Sequence, residues 1–413
     1  MDLGSQGTLT IQRLTTPADL AHLTESWEEL SRNATDPNVF YSPWNFLPAA
    51  RHLGACHNWQ ILLLWRRDRT SGSHPVLSGF FPFVERRHRL LGTNWSLWMH
   101  PYCFLTNPLI EQGQESVVWN GVFEYLSHMP RPVSWIDCPL IAGEGALSRG
   151  LIEVARERRL TTYTSDEYLR ATTAYAGTAD ELLKQSMAGH HLRELRRLRR
   201  KLEGSGQLEY RSLSDSRGAD LWLDWFLKLE GSGWKGAAGT SMQQQNSDSQ
   251  YFQEMVHAGL AQKSVKMEGL FLSGNPVALK VNLLAPPTAF AFKIAFDETL
   301  SKFSPGIQLE LESLQSFIAH DGIDQADSCA APGHPMINRI WGGRRVIRHL
   351  QIATGRGSGD LKLGLKQCLR GSYRTVRKGI QRFKAGRGSR RTSAAATAVV
   401  TAPSAESPPS AQS

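Results

Sequence analysis

The stretch from Thr288 to Cys329, TAFAFKIAFDETLSKFSPGIQLELESLQSFIAHDGIDQADSC, reads as an apolar strand, a short loop, a helix and a second strand. The loop ends in Phe303-Ser304-Pro305-Gly306. Ser304 suits the cap of the helix, Pro305 its first turn, and Gly306 leaves the next backbone N–H groups unobstructed. A helix start with free N–H groups and the positive end of the dipole attracts anions. Two readings of the loop stand side by side: an ordinary helix opening, or a cradle for the diphosphate of a nucleotide-tailed cofactor.

Working upstream, three strands are expected at Val265–Leu272, Val277–Leu284 and Ala289–Ala295, with turns at Ser273–Pro276 and Ala285–Thr288. Before them come a long helical pattern over Ala179–Gly204, with Leu192, Leu195, Leu198 and Leu202 on one stripe, and a strand at Gln207–Leu213. Helices follow at Ala219–Glu230 and Ser249–Ala261. Downstream, a strand at Ile323–Cys329, a short helix from Pro335 and a strand at Arg345–Ile352 complete the unit. This order of elements is that of the GNAT acyltransferase fold. An earlier α/β unit runs from Thr8 to about Leu169. Its strands are expected at Thr8–Arg13, Trp59–Trp65, Pro75–Val84 and Val133–Cys138, and its helices at Pro17–Leu30, Glu115–His128 and Gly145–Arg159.

The 413 residues suit two domains, and 41% hydrophobic residues with 12 Trp and 16 Phe can fill two cores. Five scattered cysteines, none in a C-x-x-C pair, imply neither a zinc site nor a disulfide framework. No metal is expected. The first residues, MDLGSQGTLTIQRL, lack the basic patch and apolar run of a signal peptide, and no apolar run approaches membrane-spanning length. A cytoplasmic protein is therefore expected. The net charge of +9 is concentrated: Arg356–Arg391 holds twelve Lys and Arg against Asp360 alone, and the rest of the chain is near neutral. In that segment Leu361, Leu365, Leu369, Val376, Ile380 and Phe383 recur at helical spacing among the basic residues. Such a segment suits an anionic membrane surface, which would hold the protein at the inner membrane face; the alternative is a solvated basic tail. Residues 392–413 have the Ala/Ser/Pro composition of a disordered tail.

Three segments, WFLKLEGSGWKGAAGTSM (Trp225–Met242), FSPGIQLE (Phe303–Glu310) and DSCAAPGHPMINRIWGGRR (Asp327–Arg345), resemble the CelD-like acetyltransferase family of the GNAT superfamily. PNVFYSPWNF (Pro37–Phe46), SGFFPFVERR (Ser78–Arg87) and HPYCFLTNPL (His100–Leu109) extend the resemblance over roughly Thr8–Ala353. The family is related in architecture to Fem-type aminoacyltransferases. The resemblance implies an α/β (α+β) fold of tandem GNAT-like domains with mixed central sheets and a degenerate N-terminal copy. The domains would span 8–170 and 178–355, followed by the basic segment 356–391 and the tail 392–413. It also implies transfer of an acyl group from coenzyme A, but no acceptor. The function expected is transfer from acetyl-CoA or a longer acyl-CoA to an amine or sugar, with envelope polysaccharide, amino-sugar or lipid precursors as the acceptor classes. The usual GNAT phosphate-loop signature is replaced here by Lys302-Phe303-Ser304-Pro305-Gly306.

On this reading Lys302 and the backbone from Ser304 through Pro305, Gly306 and Ile307 would hold the diphosphate. Lys302 is equally readable as a solvated loop lysine. Lys293 interrupts the apolar run AFAFKIAF and either lines a cleft or snorkels from the sheet. Glu230 stands where a helix gives way to the glycine-rich GSGWKGAAGT loop; it is a candidate general base or a solvated helix-terminal carboxylate. Trp234 and Lys235 in that loop are candidate substrate contacts. Asp327 and His334 flank the end of a strand and are candidate base and orienter, with a capping role for Asp327 as the plainer reading. Cys329 reads as a buried structural thiol. The arginine-rich helix His190–Glu203 has a leucine stripe for a core, so nucleic acid is not the expected partner. Two rival functions remain: a Fem-like aminoacyltransferase using aminoacyl-tRNA, and a non-catalytic scaffold of a polysaccharide-synthesis complex.

Overall fold

The computed structural model describes residues 8–55, 57–67, 74–174, 177–233, 239, 241–319, 322–334, 336–355 and 359–368. The chain divides into two compact units, Met1–Asp360 and Leu361–Ser413. Apart from helical 359–368, the expected basic segment 356–391 and the tail 392–413 lie outside the described residues, as do Trp234 and Lys235.

One thirteen-stranded sheet organises the first unit. Strands β1 (Thr8–Leu14), β2 (Trp59–Arg67), β3 (Val76–His88) and β4 (Gly92–Leu97) form an antiparallel meander, with β5 (Leu109–Ile110) off its path against β3. β4 then pairs parallel with β6 (Val133–Ala142). The second half repeats the arrangement. There β8 (Leu208–Leu213), β9 (Val265–Leu272), β10 (Asn275–Ala285) and β11 (Thr288–Phe296) are antiparallel, and β11 pairs parallel with β12 (Gln325–Asp327). Strands β7 (Thr162–Ala174) and β13 (Gly343–Ala353) join the halves by exchange: the order at the seam is β6-β13-β7-β12, all antiparallel. β13, from the end of the chain, thus closes the first half, and β7, from between the halves, closes the second, so that the two expected domains share one sheet.

Within each half the inner strands β2, β3, β6, β9 and β10 are buried on both faces because helices cover both. On one face α1 (Thr24–Arg32), α2 (Pro43–Leu53), α7 (Ala219–Ser232) and α8 (Asn246–Ala261) share a core rich in aromatic rings, including Trp27, Phe46, Phe80, Trp98, Tyr251 and Phe292. Several polar tips in this core are satisfied within it, although the Trp98 indole N–H has no partner among the described residues. Trp27 donates to the Tyr41 carbonyl (2.9 Å), Tyr41 to the Trp98 carbonyl (2.7 Å), and Tyr251 to Asn45 (2.9 Å). Gly259 lets α8 seat on α2, since a Cβ there would lie 2.3 Å from Val265 and 2.9 Å from the Trp44 ring. On the opposite face α3 (Glu115–Ser127) and α4 (Ala146–Glu157) lie under the first half. Under the second lie α5 (Ala179–Ser186), α6 (Gly189–Glu203), α9 (Pro305–Ile318) and α10 (Ile337–Ile340).

Two local expectations change. The long helix expected over Ala179–Gly204 is two helices, broken where Met187 and Ala188 turn extended. Ser304 does not cap α9 through its side chain: it sits in the left-handed region (φ 54°, ψ 52°), and its carbonyl accepts from Ile307 and Gln308 (3.0 Å each). Pro305 does occupy the first turn. Among the described residues no helix is long and apolar enough to cross a membrane.

Candidate active site

The parallel pairing of β11 with β12 lasts three residues, Thr288–Phe290 against Gln325–Asp327. From Ala291 onward no described strand pairs with that edge of β11. A register shift opposite Val281 and Asn282 leaves Phe292 without a partner on β10, so β11 bulges where it opens. A cleft of about 300 Å³ fills the opening. Its walls include Tyr102 and Phe104 from the first half, Ala291–Ile294 of β11, Lys280 and Glu310, and Ser328, Cys329 and His334 beyond β12.

Charged groups reach the cleft from both faces of the sheet. On the α7 face, Lys293 donates to Glu230 Oε1 (2.8 Å), and Glu230 Oε2 accepts the Met242 N–H (3.0 Å). Glu230 is buried and Lys293 nearly so. The Lys293 ammonium lies 4.9 Å from the centre of the Tyr102 ring. Tyr102 donates in turn to Asp248. Burial, that hydrogen bond and the nearby charges of Asp248 and Glu230 push the phenol well above its ordinary pKa. The helix-to-loop position of Glu230 is therefore an interior one, and the structure brings it together with Lys293.

On the α9 face a second pair escaped the sequence reading. Lys280 of β10 and Glu310 of α9 are each 3% exposed and 2.8 Å apart. Glu310 also accepts from Trp341 Nε1 (3.1 Å), and Lys280 donates to Ser313 (3.0 Å). Ser313 passes on to Glu268 (2.5 Å), which accepts from Asn282 (2.7 Å) and Tyr210 (2.5 Å) and pairs with Lys266 (3.3 Å). The signal lay in the alternation of Lys266 and Glu268 on β9 with Lys280 and Asn282 on β10. These polar residues sit two apart on one face of otherwise apolar strands.

The remaining candidates are distributed around this cleft. Asp327 is 1% exposed, and its partners are Arg170 (3.5 Å), Arg345 (3.4 Å) and the Cys329 N–H (2.8 Å). His334 accepts from the Ile337 N–H (3.4 Å), so the expected Asp327–His334 contact does not form. Burial holds the His334 pKa below its ordinary value and favours the neutral ring. Cys329 is buried, and its thiol pKa is raised by burial and by Asp327. Lys302 is exposed, 5.0 Å from the Phe303 ring. Gly306 and Pro305 are buried, and Ile307 half-buried; a Cβ on Gly306 would come within 3.2 Å of Phe296, so the start of α9 rests on the end of β11. Among the described residues no group of three His, Cys, Asp or Glu could hold a metal ion.

The equivalent place in the first half is closed. Residues after β4 fill the gap beside β6: Thr106 donates to the Leu140 carbonyl (3.1 Å), and the Asn107 side chain accepts from Ala142 (2.8 Å). The start of α3 already holds an anion, Glu115, which accepts from Thr35 (2.6 Å) and the Gly113 N–H (3.1 Å). Burial works to raise its pKa, but hydrogen bonds from Thr35 and the backbone outweigh it and hold the carboxylate below its usual range. The first turn of α9 has no acid.

Residues 189–332 match the family described as acetyltransferase (GNAT) domain. That span runs from α6 to just beyond β12 and contains both buried Lys–Glu pairs, Asp327 and the start of α9. The chain accordingly carries a GNAT-type acyltransferase domain over these residues, and such a domain implies an acyl-CoA donor with a small-molecule acceptor. Among solved structures, FemX is similar in fold at a TM-score of 0.53 and 10% identity, over 86% of this chain and 99% of that one. A tandem GNAT protein from the clavulanic acid biosynthesis pathway aligns at a TM-score of 0.41 and 12% identity, over 85% of this chain and 100% of that one. The C-terminal domain of a putative lysylphosphatidylglycerol synthetase from Agrobacterium fabrum aligns at 0.44 and 11%, over 83% and 95%. No curated protein matches the sequence.

Proposed function

We propose that the second half transfers an acyl group from acyl-CoA to an amine in the cleft beside β11, and that the chain belongs to the CelD-like branch of the GNAT superfamily. The observation that carries the reading is the open, bulged edge of β11 with the start of α9 seated at its end. When bound, acyl-CoA supplies the thioester carbonyl. The chain fits such a donor: α9 offers an N-terminus without a competing acid, with the exposed Lys302 beside it. Backbone N–H groups along the open β11 edge suit a carbonyl oxygen on which charge develops. Glu230, paired with Lys293, is suited to take the proton that an acceptor ammonium must lose. The neutral ring of His334, whose Nδ1 already accepts from Ile337, has Nε2–H as a donor on the cleft wall. Asp327 faces two arginines, which suits it to holding the seam. An amino group on an envelope polysaccharide, amino-sugar or lipid precursor is the acceptor class we infer.

The aminoacyl-tRNA alternative is not favoured. Arg196, Arg197 and Arg199 of α6 are tied to Asp180, Glu194, Glu203 and Glu312 rather than free for phosphate. The test is a thermal-shift series with acetyl-CoA and longer acyl-CoAs, followed by thiol release with a panel of amines. Stabilisation and amine-dependent thiol release are expected; a chain that no acyl-CoA stabilises refutes the proposal.

A further inference from the structure

One edge of the first half is basic, apolar at its tip and unused by acyl transfer. The β3–β4 hairpin turns through Arg89, Leu90 and Leu91, with His88 paired to Gly92. Leu90 is 82% exposed, the most exposed large apolar residue among those described. Arg86 and Arg89 beside it are exposed and have no ion-pair partner among the described residues. Neighbouring strands add to the patch. Thr93 pairs with Val133, which places Arg131 beside the hairpin. Ala353 pairs with Trp135 and donates to the Thr161 carbonyl (2.9 Å), which brings Arg159 and Tyr163 to the same edge. From β4 to β7 is three strand spacings, about 14 Å.

Unpaired arginines gather at this edge. In the second half Arg196, Arg197, Arg199, Arg211 and Arg217 each have an acidic partner, while among the described residues Arg193 and Arg200 of α6 are exposed without one. At the hairpin edge Glu85 is taken by Arg87 and Glu124 by Arg158, while Arg86, Arg89, Arg131 and Arg159 have no ion-pair partner among the described residues. Glu157 in the last turn of α4 offsets one of these charges. Nucleic acid would engage the arginines but would give an aliphatic tip nothing to enter. A lipid surface uses both, together with an exposed tyrosine.

We propose that this edge docks on an anionic lipid surface, with its arginines at the headgroup phosphates and Leu90 entering the boundary between headgroups and acyl chains. The proposal stands apart from the acyl-transfer reading. The full chain is sedimented with vesicles of phosphatidylcholine, with and without phosphatidylglycerol, alongside Leu90→Glu, Leu90→Trp and Arg89→Glu/Arg131→Glu. The basic segment 356–391 is common to every variant, so differences among them read the hairpin edge. Wild type should bind the anionic vesicles at least about tenfold more tightly than the neutral ones. Leu90→Glu and the double arginine variant should lose about tenfold at unchanged thermal stability, and Leu90→Trp should keep binding. Equal binding to both vesicles overturns the proposal, as do charged variants that bind like wild type. Loss of binding to a single-stranded RNA probe with vesicle binding intact would assign the edge to nucleic acid instead.

Discussion

Replacing Lys280 by Met should be among the most destabilising single changes in the chain. Lys280 and Glu310 are each 3% exposed, so solvent screening is nearly absent. Met fills most of the lysine's volume but leaves the Glu310 carboxylate with Trp341 Nε1 and without its cation. Breaking one side of a buried pair costs about 3–5 kcal/mol, because the remaining charge cannot regain water. The Ser313 hydroxyl loses its donor as well while still serving Glu268, which adds on the order of 1 kcal/mol. Removing both charges, as in Lys280→Met/Glu310→Leu, should recover most of that loss, since the attraction in such a pair largely offsets its desolvation. Urea denaturation of the wild type, both single variants and the double variant gives the coupling directly. A loss under about 1 kcal/mol in Lys280→Met would refute the burial argument. So would a double variant as unstable as the sum of the singles.

Three further outcomes are expected. Glu230→Gln should lower kcat by about a hundredfold or more if Glu230 takes the acceptor proton, and the acidic limb of the pH–rate profile should flatten; an unchanged profile would remove Glu230 from that role. Gly306→Val should weaken acyl-CoA binding more than it lowers the melting temperature, because its side chain meets Phe296 at the end of β11; equal affinity by calorimetry would show that the start of α9 does not hold the donor. His100 is buried, both its ring nitrogens lack a partner among the described residues, and burial lowers its pKa to about 3. The unfolded chain then binds a proton that the folded chain refuses. Stability should be complete above about pH 6.5 and fall by up to about 1.4 kcal/mol per pH unit as pH drops towards 3. His100→Phe should flatten that slope in denaturation curves taken across the range, and an unchanged slope would place the acid sensitivity elsewhere.

The second half was largely legible because its strands and helices alternate in length and period. The expected strands at 265–272, 277–284 and 289–295 lie within one or two residues of β9, β10 and β11. At the seam the expected strands at Val133–Cys138, Ile323–Cys329 and Arg345–Ile352 coincide with β6, β12 and β13, but β7 and the exchange itself were not legible. Thr162–Ala174 mixes Thr, Asp, Glu and Arg with few apolar residues, and its burial comes from β13 and β12 lying on either side. Strand pairing at such distance leaves no local periodicity. α2 was missed because PWNFLPAARHL carries two prolines; Pro43 sits harmlessly in the first turn, while Pro48 lies inside the helix. In the candidate site, Glu230 and Lys293 were picked separately for being odd in their surroundings, and the fold brings them within 2.8 Å. Lys280 and Glu310 were passed over because each looks ordinary in its own element. What makes them unusual is complete burial, a property of the assembled layers.

The strand exchange also governs when this chain can finish folding. β6 offers Val133–Ala142 early in synthesis, yet its partner on one side is β13, and Ile347 must travel back to Ala142 across some two hundred residues of intervening chain. Until Gly343–Ala353 has been made, that edge of the first half presents open backbone groups along an apolar strand, the kind of surface that pairs with the wrong chain. β7 waits in the same way for β12 and β13. The nascent protein is thus left with a long interval in which half a sheet stands unsealed. Expression as an isolated first half should yield aggregated material, and synthesis through Ala353 in one piece should be required for soluble product.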